Sequence, residues 1–156
     1  MWRCIFSVAS AIVDSAGEAH LPKVPVISIV DDDESVLGST KELVRSLGYI
    51  AATFSSAEEF LKSNRLDDTS CLIADVQMPG LGGLELQSRL IDAGYQTPII
   101  FVTAFPNDRI RARAMKAGAF GFLSKPFSDE SLIGCLDRAL AVAKPGASNN
   151  SANARD

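Results

Sequence analysis

The chain has 156 residues, 47% of them apolar and 22% charged, with a formal net charge of −4. This length allows one domain with a proper core plus tails, not two ordinary domains, and the modest negative charge argues against a dedicated nucleic-acid binder, whose affinity rests on a basic surface. No apolar run approaches the length that spans a bilayer, the three scattered cysteines (Cys4, Cys71, Cys135) form no C-x-x-C pair, and a single histidine, His20, leaves no Ser-His or Cys-His machinery for the core.

Residues 1–24 begin MWRCIFSVASAIV and lead through a small, polar stretch toward Pro22 and Pro25. Arg3 followed by the Cys4–Val13 run has the outline of a secretory leader, but one basic residue and a serine-broken run make a thin one. A flexible N-terminal extension or a mis-assigned start is the preferred reading, with a short helix packed on the domain or a partner as the alternative. The cysteines read as free thiols in a reducing cytosol. Residues 26–30, VISIV, form a continuous apolar run ended by three acids, which suits a strand buried on both faces. Val36, Thr40, Leu43 and Leu47 then fall on one helical face, and Gly48 supplies a stop. Residues 49–54 read as a second strand. Ser56 and Glu59 make an S-x-x-E capping box that opens a short helix through Phe60 and Leu61. CLIAD at 71–75 reads as a third strand ending on an acid, and 84–93 as a helix with Leu86, Leu90 and Ala93 in register. PIIFVT at 98–103 and AFGFL at 119–123 read as the fourth and fifth strands, separated by a helix with Ile110, Ala114 and Ala117 on one side and a stop at Gly118. Ser128 caps a last helix carrying Leu132, Leu136 and Leu140. Residues 143–156 are almost devoid of large apolar side chains and read as a disordered tail.

Five strands alternating with five helices over residues 25–142 predict an α/β domain with a parallel sheet covered on both faces. Such sheets bind ligands outside the carboxyl ends of their strands. The polar residues gather there: Asp31 and Asp32 after the first strand, Asp75 ending the third, Thr103 ending the fourth, Lys125 past the fifth. Three carboxylates at one rim repel one another, and an all-oxygen set of this kind suits Mg2+. A lysine adds a point charge for a carboxylate or phosphate oxygen, and a threonine adds a hydroxyl. A metal, an ammonium and a hydroxyl around one carboxylate can stabilise a phosphoryl group in flight to it. Asp75, with an apolar strand behind it and the Val76–Gly80 loop in front, is the best acceptor. Each residue also has a bland reading. A lone acid at a strand end is usually a turn former or an N-cap, and that reading stands beside a minor metal role for Asp33. A lysine before a proline is usually solvated. The bland readings must coincide five times at one rim, which tells against them jointly.

The motifs Val30-Asp31-Asp32-Asp33-Glu34, Asp75-Val76-Gln77-Met78-Pro79-Gly80, Val102-Thr103-Ala104, Ala114-Met115-Lys116-Ala117-Gly118-Ala119 and Lys125-Pro126-Phe127, in this order and spacing, resemble the receiver domain of bacterial two-component response regulators. The branch most similar is that of the nitrogen-fixation regulators (FixJ-type). The resemblance covers residues 25–142 and implies a doubly wound, flavodoxin-like fold with strand order 2-1-3-4-5. It implies that Asp75 takes a phosphoryl group from a phosphohistidine on a partner sensor kinase. Asp31, Asp32 and Asp75 hold Mg2+ in this pattern with the backbone carbonyl of Gln77. Lys125 contacts the phosphoryl oxygens and precedes a cis proline. Thr103 swings toward the phosphate and lets Phe122 turn inward, which alters the face built by the fourth helix, fifth strand and fifth helix. Many relatives carry tyrosine where Phe122 stands.

Gln77 and Phe105 flank the path by which water reaches an aspartyl phosphate, and bulky Phe105 is expected to slow hydrolysis. Arg109, Arg113 and Lys116 share a helix face, read first as solvated and second as a docking face for a kinase or, on phosphorylation, a second copy of the chain. The expected protein is cytoplasmic, a stand-alone receiver and phosphoacceptor rather than an enzyme, with no direct nucleic-acid contact and an unidentified downstream protein. The rival enzyme reading, a haloacid-dehalogenase-type phosphatase, wants an acid at position 77, which is Gln. A nucleotide-binding reading lacks a glycine cradle after the first strand.

Overall fold

A computed structural model describes residues 24–143, together with a short antiparallel pairing of Ile12–Val13 with Ala19–His20. The remaining expectations for residues 1–23, and for the tail beyond Ala143, lie outside the described residues. Five strands carry the core: β1 (Val26–Val30), β2 (Ile50–Phe54), β3 (Thr69–Asp75), β4 (Ile99–Thr103) and β5 (Gly121–Ser124). They alternate with α1 (Glu34–Ser46), α2 (Ala57–Lys62), α3 (Gly83–Asp92), α4 (Asp108–Lys116) and α5 (Asp129–Ala143). Every pair within this five-stranded sheet is parallel, in the order β2-β1-β3-β4-β5, so the implied 2-1-3-4-5 arrangement is what the chain adopts.

The period-two alternation of the strands divides the core into two layers. Ile27, Ile29, Cys71, Ile73, Ile100 and Val102 point to one face, where α1 and α5 cover them with Leu37, Val44, Leu132 and Leu136. Val30, Leu72, Ala74, Ile99 and Phe101 point to the other, under Phe60 of α2, Leu86 and Leu90 of α3 and Ala114 of α4. Ile27, Leu72, Ile100 and Phe101 are wholly buried, each worth about 2 kcal/mol of apolar transfer. A polar pair interrupts this apolar interior: Ser28 and Thr69 share a hydrogen bond at 2.7 Å, and Thr69 Oγ1 also donates to the Arg65 carbonyl at 2.6 Å.

Three local expectations change. The Ser56–Glu59 box is half formed and displaced: Ser56 Oγ accepts the Glu59 N–H at 3.0 Å, but the Glu59 carboxylate accepts from Ser55, from its N–H at 2.8 Å and its hydroxyl at 2.9 Å. β3 begins at Thr69, two residues before the expected Cys71, because the Thr69 hydroxyl is satisfied by Ser28 and the Arg65 carbonyl and the Ser70 hydroxyl accepts the Val26 N–H at 3.4 Å. β5 begins at Gly121, because Gly118 N donates to Met115 and Ala119 N to Ala114, keeping this stretch as the closing turn of α4.

Candidate functional site

Parallel strands place all their carboxyl ends on one edge, and the expected site residues meet there. Asp31 follows β1, Asp75 and Thr103 are the last residues of β3 and β4, and Lys125 follows β5. Asp31, Asp75 and Thr103 are buried, while Asp32 is exposed. Carboxylate oxygens of Asp31, Asp32 and Asp75 lie within 4.8 Å of one another. The Lys125 ammonium donates to Asp31 Oδ2 at 2.8 Å and to Asp75 Oδ2 at 3.3 Å. The second oxygen of each buried acid accepts a backbone N–H, Asp33 N on Asp31 Oδ1 at 2.9 Å and Gln77 N on Asp75 Oδ1 at 3.2 Å. Both carboxylates are thereby held in orientation by the loops they open.

Lys125 is itself fixed through its backbone, whose N–H donates to the Thr103 carbonyl at 2.7 Å, and its bond to Pro126 is cis. Three carboxylates against one ammonium leave two negative charges uncompensated, and the chemistry of these oxygens suits a divalent, hard cation. Burial raises the Asp75 carboxyl above its ordinary range and the Asp31 charge adds to this, while the Gln77 N–H and Lys125 pull the other way. Burial pushes Lys125 down, but its hydrogen bond to Asp31 and the charges of Asp31 and Asp75 outweigh that and hold it above the usual lysine range.

The switch residues stand beside this cluster. The Thr103 hydroxyl accepts the Phe105 N–H at 3.1 Å, and among the described residues no hydrogen bond joins it to Asp75 or Lys125. Phe122 is half-buried, with its ring 6.5 Å from that of Phe101 at a 56° tilt. Phe105 is 69% exposed. Asp33 takes the bland role: Oδ1 accepts from Ser35 N, Ser35 Oγ and Val36 N as the N-cap of α1.

Two contributors were not legible in the sequence. Gly83 opens α3 so close beneath Asp75 that a Cβ there lies 2.5 Å from the Asp75 carbonyl oxygen and 3.1 Å from the Phe101 ring. Only the glycine-rich spacing of residues 80–83 hints at it. Glu58 of α2 accepts the Leu81 N–H at 3.0 Å, and its pairing across 23 residues leaves no local signal.

The family model for the response regulator receiver domain matches residues 27–137. Response regulator protein TodT of Pseudomonas putida is 39% identical over 149 residues, spanning 95% of this chain and 65% of its own. TmoT of Ectopseudomonas mendocina is 44% identical over 118 residues, or 76% of this chain and 54% of its own. Transcriptional regulatory protein FixJ of Bradyrhizobium diazoefficiens is 35% identical over 121 residues, or 78% and 59%. Among solved structures, response regulator StyR superposes with a TM-score of 0.74 at 37% identity, covering 84% of this chain and 65% of that one. FixJ-N does so with 0.69 at 33% identity, covering 77% and 96%. The chain spans about half to two thirds of the length of the curated relatives it matches.

Proposed function

We propose, from the premise that this chain belongs to the response regulator receiver domain family, that Asp75 accepts a phosphoryl group from the phosphohistidine of a partner sensor kinase in the cytoplasm. The observation that carries this reading is the buried Asp75 carboxylate, placed within reach of Lys125 and of two further acids at the rim. In the transfer, a carboxylate oxygen of Asp75 attacks phosphorus. The P–N bond to the kinase histidine breaks, and its electron pair returns to the imidazole nitrogen. Asp31, Asp32 and Asp75, with the Gln77 carbonyl, are the residues that would hold Mg2+, which when bound supplies neutralisation of the charge on the transferring oxygens. Lys125 compensates the same charge from the β5 side. Gln77 N–H and Lys125 keep the attacking carboxylate oriented before the donor arrives.

The new phosphoryl oxygens attract the Thr103 hydroxyl, which must give up its bond to Phe105 N to reach them. That movement vacates room for Phe122, and the change reads out on α4, β5 and α5 as a face for a protein partner. The direct test is to incubate the purified protein with acetyl phosphate and Mg2+ and measure its intact mass. A gain of one phosphoryl mass is expected in the wild type, and none in Asp75→Ala or without Mg2+. An unchanged wild-type mass overturns the reading.

A further inference from the structure

We infer that Glu58 is a positioning residue for the Asp75 reaction, an inference that rests on the phosphoryl-acceptor reading above. Glu58 and Glu59 open α2, and two acids in a first turn ordinarily face water and favour the helix dipole. Glu59 stays local, bonded to Ser55. Glu58 leaves its helix instead: Oε2 accepts the Leu81 N–H at 3.0 Å, in the middle of the loop that joins Asp75 to α3.

Leu81 and Val76 pack into the core and Met78 lies against it, but the loop has few other hydrogen bonds. Its first turn is tied by Gln77 N to Asp75 Oδ1, and its ends are drawn together by Gly83 N to the Val76 carbonyl at 3.0 Å. Between these ties, among the described residues, the Glu58 bond is the one hydrogen bond that joins residues 78–81 to another element. The Glu58 carboxylate lies against Gly80, which has a φ of +78°, and a Cβ there comes within 2.7 Å of Glu58 Oε2. The loop and the acid are therefore fitted to one another at a left-handed turn that favours glycine.

The base of α2 is joined to the opposite side of the site. Asp31 N donates to the Phe54 carbonyl at 3.1 Å, two residues before Ser56 caps α2. Glu58 thus connects the loop bearing Asp31 and Asp32 to the loop bearing Asp75 and Gln77. Its own carboxylate contacts no reacting atom. It acts by holding the Gln77 peptide over Asp75, where the proposed Mg2+ site needs a carbonyl. A charge-assisted bond to a backbone N–H is among the stronger restraints available to a loop.

The test compares Glu58→Ala and Glu58→Gln with the wild type on the full chain. Amide hydrogen exchange at Leu81 and Gln77 reads the loop, titration of backbone amide shifts with Mg2+ reads the metal dissociation constant, and the acetyl phosphate labelling rate at saturating Mg2+ reads transfer. In Glu58→Ala we expect both amides to exchange about tenfold faster and the Mg2+ constant to rise about tenfold. Glu58→Gln keeps the acceptor but loses the charge, and should fall between the two, about threefold from the wild type. Wild-type exchange at Gln77 together with a wild-type Mg2+ constant in Glu58→Ala overturns the inference. So does a Glu58→Gln protein as impaired as Glu58→Ala, which makes charge the agent. A wild type that neither binds Mg2+ nor labels overturns the phosphoryl-acceptor reading instead, and the exchange data still decide the loop.

Discussion

Asp31 and Asp75 each divide their two oxygens between a backbone N–H and the Lys125 ammonium, so neither acid is free to rotate. Individual side chains around them carry separable predictions. Phe105 is exposed and sits two residues after Thr103, with its N–H fixed on the Thr103 hydroxyl. On the proposed phosphoryl-acceptor reading its side chain flanks the path of water to the aspartyl phosphate, so Phe105→Glu should shorten the lifetime of the phosphorylated form several-fold, measured by loss of the phosphoryl mass with time. Equal or slower decay in the variant removes Phe105 from the account. Cys71 is a different case. Burial pushes its thiol up to about 12, with the nearby Cys135 adding to the shift. The thiolate is the nucleophile, so Cys71 should resist alkylation at pH 8 in the folded protein and react fully once unfolded. Rapid native labelling of Cys71 contradicts its burial.

At the scale of elements, α4 shows how far local signals reach. Asn107 Oδ1 accepts from Arg109 N at 2.9 Å and Ile110 N at 3.1 Å, and caps a helix that buries only Ala114 fully. A helix with so little buried surface depends on its cap, so Asn107→Ala should lower stability by about 1 kcal/mol in denaturant unfolding. An unchanged midpoint means that solvent or the neighbouring turn replaces the cap. The strands were legible because a sheet covered on both faces demands continuous apolar runs, and VISIV, CLIAD and PIIFVT supply them. The rim was legible for the same reason, since an acid after such a run can lie only at the strand's carboxyl end. What stayed hidden was set by contacts between elements. Glu58 finds Leu81 because α2 packs beside the acceptor loop, and Gly83 is required because α3 starts against the Asp75 carbonyl. The displaced capping box is hidden for a smaller reason, because Ser55 offers Glu59 both an N–H and a hydroxyl where the pattern offers one N–H.

For the whole molecule, the acidic rim sets stability against function. Asp75 has a folded-state pKa raised above 3.8, chiefly by burial and then by Asp31, so its ionised form is disfavoured in the fold. Below pH 3.8 both states hold the proton and nothing is lost. As pH rises, the unfolded chain releases it first, and above the raised folded value the full penalty is present. Asp33 and Glu59 behave oppositely. Hydrogen bonds from Ser35 and Val36, and from Ser55, lower their pKa values, so they support the fold above their ordinary 3.8 and 4.5 and lose that support as pH falls through the folded values. Asp75→Asn removes the rim penalty and leaves the bond from Lys125 to Asp31 in place. Its thermal midpoint in EDTA should therefore exceed the wild type's at pH 7 by a few degrees, and the gap should close toward pH 4. Added Mg2+ should close it from the other side, because a cation at ten times its dissociation constant stabilises the wild type by about 1.4 kcal/mol, and the variant keeps fewer ligands. A wild type more stable than Asp75→Asn in EDTA at pH 7 means that the Lys125–Asp75 bond outweighs burial and repulsion, and the rim is then built for stability rather than for a cation and a phosphoryl group.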